Sequence, residues 1–361
     1  MIFGFRSHRF GRHLPLLYHQ RDHTLQKIIV ASNRTMSGKS KPEVFVTRDD
    51  FPPEGMNLLK ERCNLEIWPL KKGPLPRDEL VKQIKVKDAL YISLSDKIDN
   101  ELLKSAGKNF KVVSTMSVGL DHINLVAAKE EKIRIGYTPD VLTEATAELT
   151  IGLLLATSRR LFVANKALRC GEWTSWSPLW LCGPGLEGST VGIFGFGRIG
   201  QSVARKLLTF RVRRLLYSGR KKKEGDEMGA IHTDLDCLLK ESDFVIVNCS
   251  LTPETKCIFN KEKFSLMKPT AIFVNTARGG VVDHDDLVEA LQNKVIGGAG
   301  LDCMHPEPIP TDHPLTKLDN CVLLPHIGSA TIAARTAMGV LAAQNLLAAL
   351  DDKEMPAEVK V

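Results

Sequence analysis

Thr190-Val191-Gly192-Ile193-Phe194-Gly195-Phe196-Gly197-Arg198-Ile199-Gly200 is the stretch that decides the fold. Its opening residues are largely β-branched or apolar and read as a buried strand, and the last six fit Gly-x-Gly-x-x-Gly. That pattern gains its meaning from the helix-forming run 201–210 that follows. A strand that enters a glycine turn and leaves as a helix suits a dinucleotide. The glycines let the backbone approach a pyrophosphate, and the helix N-terminus offers it free N–H groups and the positive end of a dipole. Gly195, Gly197, Arg198, Ile199 and Gly200 are therefore candidate cofactor contacts. A glycine turn needed only for close packing of helix on strand is the competing reading.

Beyond this stretch, the apolar runs 215–217, 244–247, 271–275, 298–301 and 322–324 suit successive strands of one doubly wound sheet. Upstream, the runs 44–47, 65–68, 89–93, 111–115 and 134–137 alternate with helical stretches and predict a second parallel sheet. A long helix over 143–161 bridges the two halves, and a last helix over 330–350 lies past the final strand, free to return to the first half. The fold class is α/β, with two doubly wound parallel-sheet domains; a chain of 361 residues is long enough for two cores. No internal repeat is visible.

The formal charge of +7 invites a nucleic-acid reading, so its location matters. Residues 1–42 hold eight basic side chains (Arg6, Arg9, Arg12, Arg21, Lys27, Arg34, Lys39 and Lys41) against one acid, Asp22, which accounts for all of it. The other 41 basic and 41 acidic residues balance. A protein that grips phosphate backbones needs a basic face on its folded body, so no nucleic-acid partner is expected. No membrane is expected either, because no apolar run approaches the roughly 20 residues that span a bilayer. The tail is Arg-rich with scattered Phe5, Phe10 and Leu14, which suits a mitochondrial transit peptide; a disordered extension, or upstream sequence ahead of a start at Met36, is the bland alternative. Without the apolar core of a secretory signal, the expected location is the cytoplasm, or the mitochondrion if the tail targets the chain.

Eight cysteines, at 63, 170, 182, 237, 249, 257, 303 and 321, form no C-x-x-C pair and have no histidine at zinc-finger spacing. No metal site is expected, and they read as reduced thiols, mostly small and buried.

Dinucleotide sites read the ribose about 20 residues beyond the glycines, where an Asp or Glu binds the 2′-hydroxyl of NAD. Counted from Gly200 that place falls near Ser218, and Gly219-Arg220-Lys221-Lys222-Lys223 follows with no acid before Glu224. A hydroxyl and a guanidinium without a carboxylate suit a 2′-phosphate, which predicts NADPH; a solvated basic turn is the bland alternative. Three more residues lie where strands of the second sheet are expected to end. Arg278 in Asn275-Thr276-Ala277-Arg278-Gly279-Gly280 offers a planar fork for the carboxylate and carbonyl of a 2-keto acid. His326 in Leu324-Pro325-His326-Ile327-Gly328-Ser329 is a proton donor, and Glu307 in Pro306-Glu307-Pro308 a carboxylate to orient it. Each alone is more often a surface arginine, a loop acid or a core histidine. Their shared place at one sheet's carboxyl edge is the signal.

Together with Gly300-Leu301-Asp302, these motifs resemble the D-isomer-specific 2-hydroxyacid dehydrogenases over about 43–361. Longer strings narrow the likeness to members acting on glyoxylate and hydroxypyruvate: Ser114-Thr115-Met116-Ser117-Val118-Gly119, Gly136-Tyr137-Thr138-Pro139-Asp140-Val141-Leu142, Trp173-Thr174-Ser175-Trp176 and Pro178-Leu179-Trp180-Leu181-Cys182-Gly183. The resemblance implies reduction of these small 2-keto acids to glycolate and D-glycerate by NADPH, in a homodimer. It also implies an NADP-binding Rossmann domain, 142–330, inserted into a flavodoxin-like substrate-binding domain made of 43–141 plus 331–361. By matching motif, Arg278, Glu307 and His326 would be the catalytic set, and Val118, Gly119, Arg278 and Ser329 would line the substrate pocket. Trp176 would reach a neighbouring subunit's pocket, although Trp173, Trp176 and Trp180 would equally serve as a dimer core. Ser218, Arg220, Lys221, Ser250, Thr276, Asp302 and Gly328 would face the dinucleotide. Ala277, where serine is common, and Cys303-Met304-His305 depart from the usual pattern. His305, two residues from Glu307, is a rival proton donor, and His122 is expected to start a helix. A different 2-keto acid, or a dinucleotide-sensing module like the family's corepressors, are the alternative readings.

Overall fold

Twelve strands, each running parallel to its sheet neighbours, form two sheets among the described residues, which are 40–222 and 228–360 of the computed structural model. Nearly all of the basic tail, Lys223 and Glu224 lie outside that range. The first sheet has the order β2-β1-β3-β4-β5, from β1 (Glu43–Val46), β2 (Asn64–Ile67), β3 (Ala89–Ile92), β4 (Val112–Thr115) and β5 (Arg134–Gly136). That is the flavodoxin-like order. The second comprises β6 (Thr190–Phe194), β7 (Arg214–Ser218), β8 (Ile231–His232), β9 (Phe244–Val247), β10 (Ile272–Asn275), β11 (Gly298–Leu301) and β12 (Cys321–Leu323). Its order is β12-β11-β10-β9-β6-β7-β8, a dinucleotide-binding sheet whose direction of winding reverses between β6 and β9. Every residue of β3, β4, β9, β10 and β11 is buried, as expected of strands covered by helices on both faces.

The elements match the sequence reading with a few physical exceptions. The bridging helix runs over Thr143–Ser158 and stops there, because Arg160 turns left-handed (φ 53°) and a separate helix, Leu161–Arg169, begins. The glycine-turn helix starts earlier than expected, at Arg198, and the last helix later, at Ile332, where Thr331 accepts a capping hydrogen bond from the Ala334 amide. The two-residue edge strand β8 has no counterpart in the sequence reading; so short a run carries no periodicity. His122 does not start a helix: it sits in a turn, and Asn124 caps Leu125–Glu130. Of the cysteines only Cys63 and Cys303 are buried, while Cys170, Cys182 and Cys257 are exposed. The helix Ile332–Leu350 reaches membrane-spanning length and apolarity, contrary to expectation. Its side chains Ala334, Met338, Ala342, Ala343 and Leu346 are buried in the core of the first sheet.

That last helix packs on the helix Pro53–Arg62 so tightly that backbones touch. A Cβ on Gly55 would lie 2.4 Å from the carbonyl oxygen of Gly339, which also accepts a hydrogen bond from the buried Tyr91 hydroxyl at 2.9 Å. Gly55→Ala is therefore expected to destabilise the fold by about 1 to 3 kcal/mol, the usual range for overpacking. A lower denaturation midpoint with an unchanged slope would check it.

Candidate active site

The carboxyl ends of the second sheet carry the expected residues, and three of them meet. Arg278 follows β10, Glu307 lies in the loop after β11, and His326 follows β12. All three line one cavity of about 290 Å³, together with Leu94, Ser95, Asp121, His122 and His305. His326 Nδ1 lies 2.9 Å from Glu307 Oε2, and the other ring nitrogen, Nε2, has no partner among the described residues. Glu307 Oε1 accepts the Met304 amide at 2.8 Å, which fixes the carboxylate from its other side. Burial pushes the Glu307 carboxyl up, but the hydrogen bond and charge of His326, the Met304 amide and the Arg278 charge outweigh it and hold it below the usual range. A charged acceptor thus fixes the imidazole. His305 lines the same cavity without a hydrogen bond to that carboxylate, which leaves His326 as the oriented ring.

The His326 backbone is left-handed, φ 53°. Asp302 holds the loop there: its two oxygens accept the Ile327 and Gly328 amides at 2.8 Å each. With the side chain buried, the Asp302 carboxylate is bound to this loop rather than open to solvent. Arg278 is held from both sheets. Its Nε donates to Asp121 Oδ1 at 2.9 Å and its Nη1 to the Ala277 carbonyl at 2.8 Å. A Cβ on Gly119 would lie 1.7 Å from Nη2, so any larger residue there would displace the guanidinium from where it stands. Asp121 and His122 escape the sequence reading as site residues, because one charged residue in a turn gives no periodic signal. Burial drives the His122 ring down to about 4, with the Asp121 charge opposing, so it is neutral at physiological pH.

The remaining candidates are placed less uniformly. Val118 and Ser329 are half-buried and do not line the cavity, and Trp176 is 79% exposed on a loop away from it. Thr276 is buried, with its hydroxyl 2.8 Å from that of Thr150 and accepting from Asn248. Ser218 is buried at the end of β7, whereas Arg220, Lys221 and Ser250 are exposed.

A dinucleotide fits the glycine turn. Gly195 has φ 95°, and a Cβ there would lie 2.4 Å from the Cys249 amide nitrogen at the sheet's reversal point. Gly197 faces open space and caps the helix Arg198–Leu208 without a side chain, leaving its first amides for an anion. Gly200 lies 2.3 Å from the Gly195 carbonyl oxygen by the same measure, so its role is close packing of helix on turn. Arg198 is ion-paired with Asp140 at 2.6 Å. A metal fits less well. Cys303, Glu307 and His326 offer ligand atoms within 4.8 Å of one another. The Cys303 thiol, however, is kept protonated by burial and donates to the Ala277 carbonyl, and the other two side chains bind each other.

Known proteins resemble this chain over most of its length. Residues 151–328 match the NAD binding domain of the D-isomer specific 2-hydroxyacid dehydrogenases. The human glyoxylate reductase/hydroxypyruvate reductase is 51% identical over 323 residues, covering 88% of this chain and 98% of its own. The glyoxylate reductase of Thermofilum pendens is 46% identical, covering 89% and 95%. Among solved structures, a protein from Thermus thermophilus superposes with a TM-score of 0.82 at 43% identity, covering 88% of this chain and all of its own. An NADPH-dependent glyoxylate/hydroxypyruvate reductase from Sinorhizobium meliloti, solved with NADP and malonate, superposes at 0.76 with 33% identity, covering 89% and 97%. Identity of 51% over 98% of a relative goes beyond a shared fold: the chain belongs to the D-isomer specific 2-hydroxyacid dehydrogenases, which exchange hydride between a nicotinamide and a small 2-keto or 2-hydroxy acid.

Proposed function

We propose that this chain reduces glyoxylate and hydroxypyruvate to glycolate and D-glycerate with NADPH, as a homodimer. The observation that carries the reading is the meeting of Arg278 with the His326–Glu307 pair, 2.9 Å apart, around one small cavity. Arg278 grips the substrate carboxylate and draws charge onto the ketone oxygen. His326 gives that oxygen a proton from Nε2, and Glu307 holds the ring in place through Nδ1. A nicotinamide held there would supply the hydride for the carbonyl carbon. A cavity of about 290 Å³, at the small end of ligand pockets, suits acids of two or three carbons. In this reading 142–330 binds the coenzyme, and 43–141 with 331–361 closes the substrate side.

The coenzyme preference rests on Ser218 and Arg220, with no carboxylate at the end of β7. Relatives named as glyoxylate/hydroxypyruvate reductases support the substrate, and one of them is NADPH-dependent. The exposed apolar run of Leu161, Phe162, Trp173, Trp176, Leu179 and Trp180 supports a second copy as partner, with Trp176 reaching that copy's cavity. A steady-state panel of 2-keto acids with each coenzyme tests the whole reading. NADPH is expected to exceed NADH in kcat/KM by roughly tenfold or more, the worth of one or two charge-assisted hydrogen bonds to the 2′-phosphate. Equal efficiency would remove the phosphate site, and no turnover with any 2-keto acid would favour a dinucleotide-sensing role.

A further inference from the structure

Arg278 is the cation that would hold the substrate, yet its guanidinium has no freedom to choose how it faces the cavity. The Nε edge is taken by Asp121, 157 positions away in sequence and on a loop of the other sheet. One Nη1 hydrogen goes to the Ala277 carbonyl, and Nη2 lies against the Gly119 backbone. The hydrogens left for a ligand are on the Nη1 and Nη2 side, so Asp121 decides which side of the fork is offered. Asp121 is itself in the cavity wall, and its side chain is only 29% exposed. Burial pushes its carboxyl up, but the Arg278 charge and hydrogen bond hold it below the ordinary range, so it is charged. The adjacent His122 does not compete for it, because that ring is neutral and turned to the Thr115 hydroxyl at 3.1 Å.

We propose that Asp121 is a positioning residue: reaching across from the first sheet, it aims the Arg278 guanidinium and cancels part of its charge before substrate arrives. The two effects pull opposite ways on the kinetic constants. Without the acceptor the fork rotates, and the ketone oxygen loses its polarising contact in the transition state, which lowers kcat. Without the negative charge, Arg278 attracts a substrate carboxylate more strongly in the ground state, which lowers KM. A residue that only supported the fold would not lower both together.

The inference rests on the chain being a 2-keto acid reductase, and the test keeps the two apart. Wild type, Asp121→Ala and Asp121→Asn are compared with glyoxylate and NADPH, alongside calorimetric binding of oxamate, an unreducible monoanion. Asp121→Ala is expected to lower kcat about tenfold or more, the loss of one charge-assisted hydrogen bond, while KM falls and oxamate binds severalfold tighter. Asp121→Asn keeps an acceptor at the same place, so kcat should return to within about threefold of wild type while the tighter oxamate binding remains. A kcat within twofold of wild type in Asp121→Ala, or weaker oxamate binding in both variants, would overturn the assignment. Wild-type chain that turns over no keto acid would defeat the functional reading instead, and oxamate binding would still decide the Asp121 inference.

Discussion

With His326 replaced by asparagine, kcat falls by roughly 10²- to 10⁴-fold, the usual contribution of a positioned general acid, while the dinucleotide binds as before. Asparagine can still hydrogen-bond Glu307, so the loop is expected to keep its shape, and the group removed is the proposed proton donor. The glycine turn after β6 and the end of β7, where the pyrophosphate and ribose are proposed to bind, lie on the other half of the sheet from β12, so the affinity is expected to change little. Kinetics paired with fluorescence titration of NADPH checks both halves. Turnover within a few-fold of wild type would move the proton donor to His305, the other imidazole in the cavity wall. Loss of coenzyme binding would mean that the loop, not the proton, had been damaged.

Arg278→Gln should be nearly as severe for a different reason. Truncating the partner of a substrate carboxylate that is desolvated and hydrogen-bonded in the closed cavity costs about 2 to 5 kcal/mol. At roughly 1.4 kcal/mol per decade, kcat/KM falls about 30-fold to several thousandfold. The change also strands Asp121 in the wall of the cavity. In the wild-type chain its carboxyl is lowered by Arg278, so the pair stabilises the fold above the carboxyl's unfolded pKa and loses that contribution as pH falls through the folded value. The difference in melting temperature between wild type and Arg278→Gln should therefore be largest near neutrality and shrink in acid. A pH-independent difference would mean that the pair adds nothing to stability.

The sequence carries most of the architecture because parallel sheets leave a strong trace. Strands buried on both faces are short apolar runs, and β9 and β11 are bounded to the residue. What it does not carry is anything set by a single backbone angle or by distance across the crevice. The break after Ser158 depends on Arg160 turning left-handed, and no residue type there announces it. Arg278, Glu307 and His326 are legible because each follows a strand of the same sheet, and topology brings such ends together. Asp121 and His122 come from the opposite sheet, and no spacing rule links them to Arg278. The part Asp302 plays in the His326 loop, one oxygen accepting the Ile327 amide and the other the Gly328 amide, has no trace in the sequence either.

The left-handed backbone of His326 sets a limit on how far this enzyme's durability can be improved. Glycine relaxes in that conformation and histidine does not, yet histidine alone brings an imidazole to the cavity. The two amides clamped by Asp302 hold the unfavourable turn closed. Lineages selected purely for heat resistance would be drawn toward glycine here and would lose turnover in the process. At this position robustness and chemistry compete for the same residue, and the burden of keeping the molecule folded falls on the two sheets on either side.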